Sequence, residues 1–257
     1  SSPRSGSAAQ DHSRNRPRFA MPGQSSQPSP GPPRSVVPKR LQPRYNQLMR
    51  DSANENAGPG TLWIEPVTLE GDHVALRPLA AEDATALASA AADGELWQLW
   101  YTSVPAPDDA PAYAAAALER RKSHGDLPFV VVRKTDGAVV GTTRFCNPAP
   151  SDRRLEIGYT WYAASAQRTA ANTEAKYLLL THAFEVLHAI AVEFRTHWLN
   201  HQSRRAIERL GAKQDGVLRN HRILPDGSYR DTVVYSIIES EWPAVKRGLE
   251  HRLRARR

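Results

Sequence analysis

The sequence predicts an α/β (α+β) fold: a mixed, mainly antiparallel twisted sheet flanked by helices on both faces. Three observations lead there. Strand-like and helix-like segments alternate along residues 61–257. The early strands are joined by short turns, which impose antiparallel pairing. One strand, residues 155–162, runs through a short loop into a long helix before the next strand, the one place that calls for a parallel crossover.

Each element has its own signal. Residues 67–69 and 73–77 flank Glu70-Gly71-Asp72 and form a first strand pair. Ala80 or Ala81 starts an alanine-rich helix that runs to about Ala92, and Asp108 or Asp109 caps a second that ends near Ser123. Residues 129–133 and 139–145 flank Lys134-Thr135-Asp136-Gly137, a hairpin turn. The strand at 155–162 is apolar and aromatic, and the helix beginning at Asn172 carries Ala175, Leu178, Leu179, Ala183, Val186 and Leu187 at helical spacing. A strand at 191–198 and a helix at 202–210 follow. Strands near Val217 and at 232–238 flank Pro225-Asp226-Gly227, and a basic amphipathic helix runs from Glu241 to a final cluster at Arg252, Arg254, Arg256 and Arg257.

Residues 1–60 are rich in Ser, Pro, Gly, Gln and Arg and hold no sustained hydrophobic period, so burial there does not offset the entropy of ordering. They are expected to form a disordered basic tail, and residues 61–257 one domain ending in a basic helix. The tail carries nine basic and three acidic residues, +6 of the chain's formal +7, which leaves the domain at +1. A basic arm with Phe19 and Tyr45 as its aromatics reads as solvated, so specific nucleic-acid binding is not expected. A nearly neutral domain gives no reason to prefer a strongly charged partner. No apolar run approaches membrane length, so no membrane association is expected. Cys146 as sole cysteine excludes an internal disulfide and a multi-cysteine metal site. No metal is expected, and a reducing cytoplasm suits the composition.

The chemistry concentrates in Gln167, Arg168, Thr169, Ala170, Ala171, Asn172 and Thr173, a polar turn delivered into the first turn of a helix. Free N–H groups at such a junction make an anion site. The plainer reading is a helix start capped by Asn172 or Thr173, with Glu174 favouring the dipole. Glu156-Ile157-Gly158-Tyr159 precedes the turn, and Asn200-His201-Gln202-Ser203-Arg204-Arg205-Ala206-Ile207-Glu208-Arg209-Leu210-Gly211-Ala212 follows the next strand. In this order and spacing the chain resembles the GCN5-related N-acetyltransferase (GNAT) superfamily, in particular its RimJ/RimL-like branch, over roughly residues 61–246. The superfamily's Gln/Arg-x-x-Gly-x-Gly/Ala motif falls on 167–172. Gln167 matches, whereas Ala170 and Asn172 have drifted from the small residues usual there. If those positions are left-handed, the drift costs on the order of 1–2 kcal/mol.

The resemblance implies a GNAT-like sheet and acetyl-CoA as co-substrate, with the seven turn residues cradling its pyrophosphate. It implies that Asn200 hydrogen-bonds the CoA arm, that Ser203 assists the departing thiolate, and that Glu156 deprotonates a primary amine. Trp97, Trp100 and Tyr101, with Tyr113, would line the acceptor pocket. Each has a structural alternative: Asn200 and Ser203 as helix caps, Glu156 paired with Arg153 or Arg154, the aromatics in the core. The branch's later glutamate is missing, and Arg222 stands nearest its position. His221 is either a substitute base or a solvated residue, and His197, where many relatives carry Asp, is expected to pack at a strand end. The reaction implied is acetyl transfer to a protein N-terminus, a lysine or a small-molecule amine by direct attack in a ternary complex, with a homodimer as one possible assembly. The alternative is an acyl-CoA-binding protein without turnover.

Overall fold

Short turns fix the first half of the sheet in the computed structural model, which describes residues 63–255. The tail expected at 1–60 lies outside the described residues. Around Gly71, β1 (Leu69–Glu70) and β2 (Val74–Pro78) pair antiparallel; around Gly137, β3 (Leu127–Arg133) turns back into β4 (Val139–Ala149). β5 (Arg154–Tyr162) pairs antiparallel with β4 and parallel with β6 (Ala191–His197). β7 (Lys213–Ile223) and β8 (Tyr229–Ile238) form the last hairpin, with β8 inserted beside β6. The strand order is therefore β1-β2-β3-β4-β5-β6-β8-β7, and β5–β6 is its one parallel pair among the described residues.

Strand alternation sends apolar side chains to both faces, and helices cover them unequally. On one face, α1 (Ala84–Ala92) and α2 (Ala110–His124) lay Leu87, Ala90, Ala114 and Ala117 against Val130 and Trp161; their alanines permit close approach. On the other, α3 (Ala171–Thr181), α4 (His201–Leu210) and α5 (Trp242–Arg254) bury Leu179, Leu180, Ile207 and Leu249 against Phe129, Phe145, Ile157, Phe194 and Tyr235. On the α1–α2 face, β6, β8 and β7 line a shallow depression of about 730 Å³ with Glu193, Arg195, Leu218, Val234 and Ser236.

Helix α3 is tied to the first hairpin by a charge that its sequence position disguises. Glu174, in the first turn, does not face solvent as a dipole partner. It is 5% exposed, and its carboxylate accepts backbone N–H bonds from Asp72 (2.8 Å), His73 (2.7 Å) and Val74 (2.7 Å). The hairpin reaches it because Gly71 has no side chain: a Cβ there would lie 2.3 Å from Glu174 Cδ. Three convergent N–H donors stabilise an anion without a cation.

Glu174→Gln replaces that acceptor by an amide whose NH2 meets donors, so it should lower the unfolding free energy by about 3 kcal/mol in urea titrations. Gly71→Ala displaces the same carboxylate, and the double variant should lose less than the sum of the two single losses.

Candidate active site

β5 and β6 share three rungs, Arg154–Ala191, Leu155–Val192 and Glu156–Glu193, and then part, although both strands continue. A bulge bends β5 away. Its register against β4 jumps from Gly158–Arg144 to Trp161–Thr142, so Tyr159 and Thr160 share the space opposite Thr143, and Tyr159 takes a left-handed φ of 51°. That conformation costs about 1–2 kcal/mol for a non-glycine residue, so its surroundings must hold it. On one side the Arg144 guanidinium lies 4.1 Å from the Tyr159 ring centroid; Arg144 is itself paired at 3.4 Å with the buried Asp126, which Arg120 shares at 2.7 Å. On the other, Lys176 Nζ reaches Thr143 Oγ1 (3.0 Å) and Thr160 Oγ1 (2.6 Å), one hydroxyl from each strand. Lys176 is 4% exposed, and burial pushes its ammonium down to about 7.

Beyond the parting, each strand feeds a helix. The turn after β5 holds itself together: Gln167 Nε2 donates to the Tyr162 carbonyl (3.1 Å), Thr169 Oγ1 donates to that of Ala166 (2.7 Å), and Thr169 accepts from Ala171 N–H (3.2 Å). Helix α3 begins at Ala171, one residue before the expected start, and Ala170, not Asn172 or Thr173, is its N-cap. Ala170 has φ −69° and ψ −20°, and the left-handed residue of the turn is Arg168, with φ 60°. The condition for a penalty at Ala170 and Asn172, a left-handed backbone, is therefore not met. Arg168 is exposed, while Asn172 and Thr173 are half-buried in the first helical turn, where N–H groups lack intrahelical acceptors. After β6, Asn200 caps α4 by accepting the Ser203 N–H (3.0 Å), and Ser203 is half-buried. Two positive helix ends thus flank the mouth of the parted strands.

On the face toward α1 and α2, Glu156 stands at the last shared rung. It is 8% exposed; Oε2 accepts from Asn147 Nδ2 (2.8 Å) and lies 3.6 Å from Arg195 Nε. Neither Arg153 nor Arg154 pairs with it, because Arg154 is held by Glu193 at 2.5 Å. The carboxylate curls over Gly158, where a Cβ would come within 3.0 Å of Oε1. Burial pushes the Glu156 carboxyl above its ordinary value, against the Asn147 hydrogen bond and the Arg195 charge that pull it down.

The aromatic group divides. Trp100 and Tyr101 rings lie 5.1 and 6.3 Å from His197, at the end of β6. Trp97 is half-buried in the turn Leu96–Gln98, and Tyr113 packs 6.3 Å from Trp161 against the α1–α2 core, the alternative weighed for it. His197 is 4% exposed at the strand end, as expected. Its Nδ1 accepts from Leu199 N–H (3.0 Å), which leaves the proton on Nε2, and Nε2 has no partner among the described residues. His221 is half-buried, not a solvated loop residue: Nδ1 lies 3.1 Å from Thr232 Oγ1, and burial with the charges of Arg222, Arg195 and Arg230 lowers its proton affinity. Cys146 is buried, and burial pushes its thiol well above the ordinary range, so it is no nucleophile. Asn147, Lys176, Arg195 and Arg230 escaped the sequence reading; period two along β6 places Glu193, Arg195 and His197 on one face and was the available signal. Among the described residues no cluster of metal ligands occurs, and no helix is long and apolar enough to cross a membrane.

Comparison with known proteins adds a family. Residues 73–213 match the model of the acetyltransferase (GNAT) domain. No functionally curated protein matches. A T. thermophilus protein assigned to the acetyltransferases is 39% identical, with TM-score 0.66, over 74% of this chain and 99% of that one. A GCN5-related N-acetyltransferase from Brucella melitensis is 31% identical, with TM-score 0.67, over 74% and 86%. Mycobacterium smegmatis RimJ, in complex with CoA-disulfide, shares the fold at 24% identity and TM-score 0.60 over 72% and 94%.

The buried lysine generates a stability test. Its folded value of about 7 lies below its ordinary 10.5, so between these pH values the unfolded chain binds the extra proton and stability rises with pH. Lys176→Met removes that slope, while Thr143 and Thr160 keep each other at 2.8 Å. Thermal melts should show the difference in Tm, variant minus wild type, largest below pH 7 and falling steadily toward pH 9.5.

Proposed function

Because the chain belongs to the GNAT acetyltransferase family, we propose that it transfers an acetyl group from acetyl-CoA to a primary amine by direct attack in a ternary complex. It is an N-acetyltransferase, and the observation that supports this mechanism is the parting of β5 and β6, with Glu156 at its start and two helix N-termini at its mouth.

The residues present fit CoA. The first turn of α3 supplies N–H donors for the pyrophosphate, from Asn172 and Thr173 rather than from the inward-turned Gln167 side chain, with Arg168 adding a guanidinium at the rim. The parted edges leave backbone groups that hydrogen-bond an amide-bearing arm as a neighbouring strand would. Asn200 and Ser203 bring the start of α4 to the same end, where the Ser203 hydroxyl donates to the departing thiolate. Acetyl-CoA supplies an activated acyl carbon. The protein orients the amine, and its backbone N–H groups along β5 stabilise the oxyanion that develops on the carbonyl.

Glu156 acts as base on the opposite side of the opening, directly or through water. A carboxylate with a raised value accepts a proton from the ammonium more readily than an ordinary one, and the Arg195 charge favours its ionised form against burial. The nitrogen lone pair forms the new C–N bond, the C–S bond breaks, and the amine's second proton follows to bulk water. Trp100 and Tyr101 face this acceptor side. A silent acyl-CoA binder is suggested by Ala170 and by the missing later glutamate; the right-handed Ala170 backbone removes the first ground, and the second stays, with Arg222 nearest that position.

The test is a thiol-release screen over peptides and small amines with wild type and Glu156→Gln. The variant should lose about 100-fold or more in kcat with little change in KM for acetyl-CoA. In the wild type the acidic limb of kcat/KM should lie above the ordinary carboxylate range, because activity falls as Glu156 takes up its proton. Unchanged turnover in the variant rules Glu156 out as base, and acetyl-CoA binding without thiol release from any amine supports the silent binder instead.

A further inference from the structure

The last hairpin sets Arg222 and Arg230 directly opposite each other in register. Like charges facing across an antiparallel ladder are destabilising. Two nearby carboxylates are engaged elsewhere, Glu193 by Arg154 and Arg195 and Asp231 by Arg219 and the Asn220 N–H, and Glu156 is held by Asn147 and Arg195. Neither guanidinium has an ion pair among the described residues. Arg222 is exposed, whereas Arg230 is half-buried with Nε donating to Thr232 Oγ1 at 3.1 Å.

Thr232 fixes the location. It is the register partner of His197 on β6, so Arg230 lies on the sheet face that carries His197, Arg195 and Glu156. Burial and then the charge of Arg230 depress the proton affinity of His197, and Glu156 is an acid whose charge acts on Arg230 against burial and Arg222. His197 contributes a buried Nε2–H with no acceptor among the described residues, walled by the rings of Trp100 and Tyr101. A buried donor without a partner is costly, and beside it stand two guanidinium groups that make no ion pair among the described residues, an arrangement an anion would complete.

We propose that Arg230, Arg222 and the Nε2–H of His197 form an anion subsite beside Glu156, so that the acceptor is an amine carrying a carboxylate or phosphate a few bonds from its nitrogen. The assignment rests on the reading of this face as the acceptor side. Chemically the two ends separate cleanly: Glu156 takes the ammonium end and its proton, while the guanidinium groups take the anionic end in charge-assisted bonds. Such an acceptor is held at two points, which orients its nitrogen toward the opening between β5 and β6.

The experiment compares matched acceptors: phosphoethanolamine with ethanolamine, β-alanine with its amide, and the peptide Ser-Asp-Ala-Ala with Ser-Asn-Ala-Ala. Wild type should favour the anionic member of at least one pair by about tenfold in kcat/KM. Arg230→Gln and Arg222→Gln should each bring that ratio close to one, through KM for the anionic member. Arg222 is exposed, so its variant tests the subsite even where Arg230→Gln impairs folding. The pair that discriminates tells a small acceptor from a peptide N-terminus. A wild-type ratio near one for every pair, or a preference that survives in both variants, overturns the subsite while leaving acetyl transfer intact. If no amine is turned over, calorimetric titration of phosphoethanolamine into the CoA-loaded protein decides separately. Heat lost in both variants sustains the subsite although the proposed transfer fails, and no heat in wild type overturns it.

Discussion

Two parallel strands that begin as neighbours and then separate leave backbone donors and acceptors unpaired in the middle of a sheet, and this separation is what the rest of the structure must support. β6 stays straight because β8 pairs with it at every residue from Ala191 to His197. β5 stays put because β4 holds it from the other side, but only through a bulge that turns Tyr159 left-handed. The opening is thus an antiparallel sheet on each side with a seam between them, closed at one end by three rungs and open at the end where α3 and α4 begin.

The seam is braced by buried charges that are not simple ion pairs. Glu174 is satisfied by three backbone N–H groups, Lys176 by two threonine hydroxyls, and Asp126 is shared between Arg120 and Arg144. An apolar substitute of equal volume would fill the same space, and for stability alone it is often as good. What the polar version adds is position. Lys176 spans the bulge only while Thr143 and Thr160 stand where the register slip puts them, so the contact selects that slip over a regular ladder. The same argument applies to Glu174, which fixes the height of α3 relative to the first hairpin and with it the place of the turn at Gln167.

This explains what could and could not be read from the sequence. Strand and helix order, both early turns and the single crossover follow from local periodicity and turn residues, and they reappear with boundaries shifted by a few residues; β7, expected only near Val217, is longer. The turn into α3 and the Asn200 cap were legible because such junctions have residue signatures. Glu174 and Lys176 were not, since a charged side chain in an amphipathic helix looks solvated until its partners are known, and those partners are backbone groups and hydroxyls distant in sequence. The backbone of Ala170 was left open for a related reason: a motif position says which residue is usual, not which neighbour absorbs the left-handed step, and here Arg168 does. Tyr113 and Trp161 meet because α2 folds back onto β5, which no local pattern encodes.

Net charge proved the least informative sequence quantity for the site. A domain near +1 suggests no electrostatic preference, yet a sum taken over a surface says nothing about sign at a given point. The last hairpin concentrates cations because its register places Arg222 against Arg230, while the acids that balance them in the total are spent elsewhere, Asp231 on Arg219 and Glu193 on Arg154 and Arg195. Glu156 then lies in a field of Arg195 and Arg222 that opposes the upward push of burial on its carboxyl. Arg222, which favours an anionic acceptor, thus also favours the ionised form of the base, so recognition and proton transfer on this face draw on one arrangement of charge.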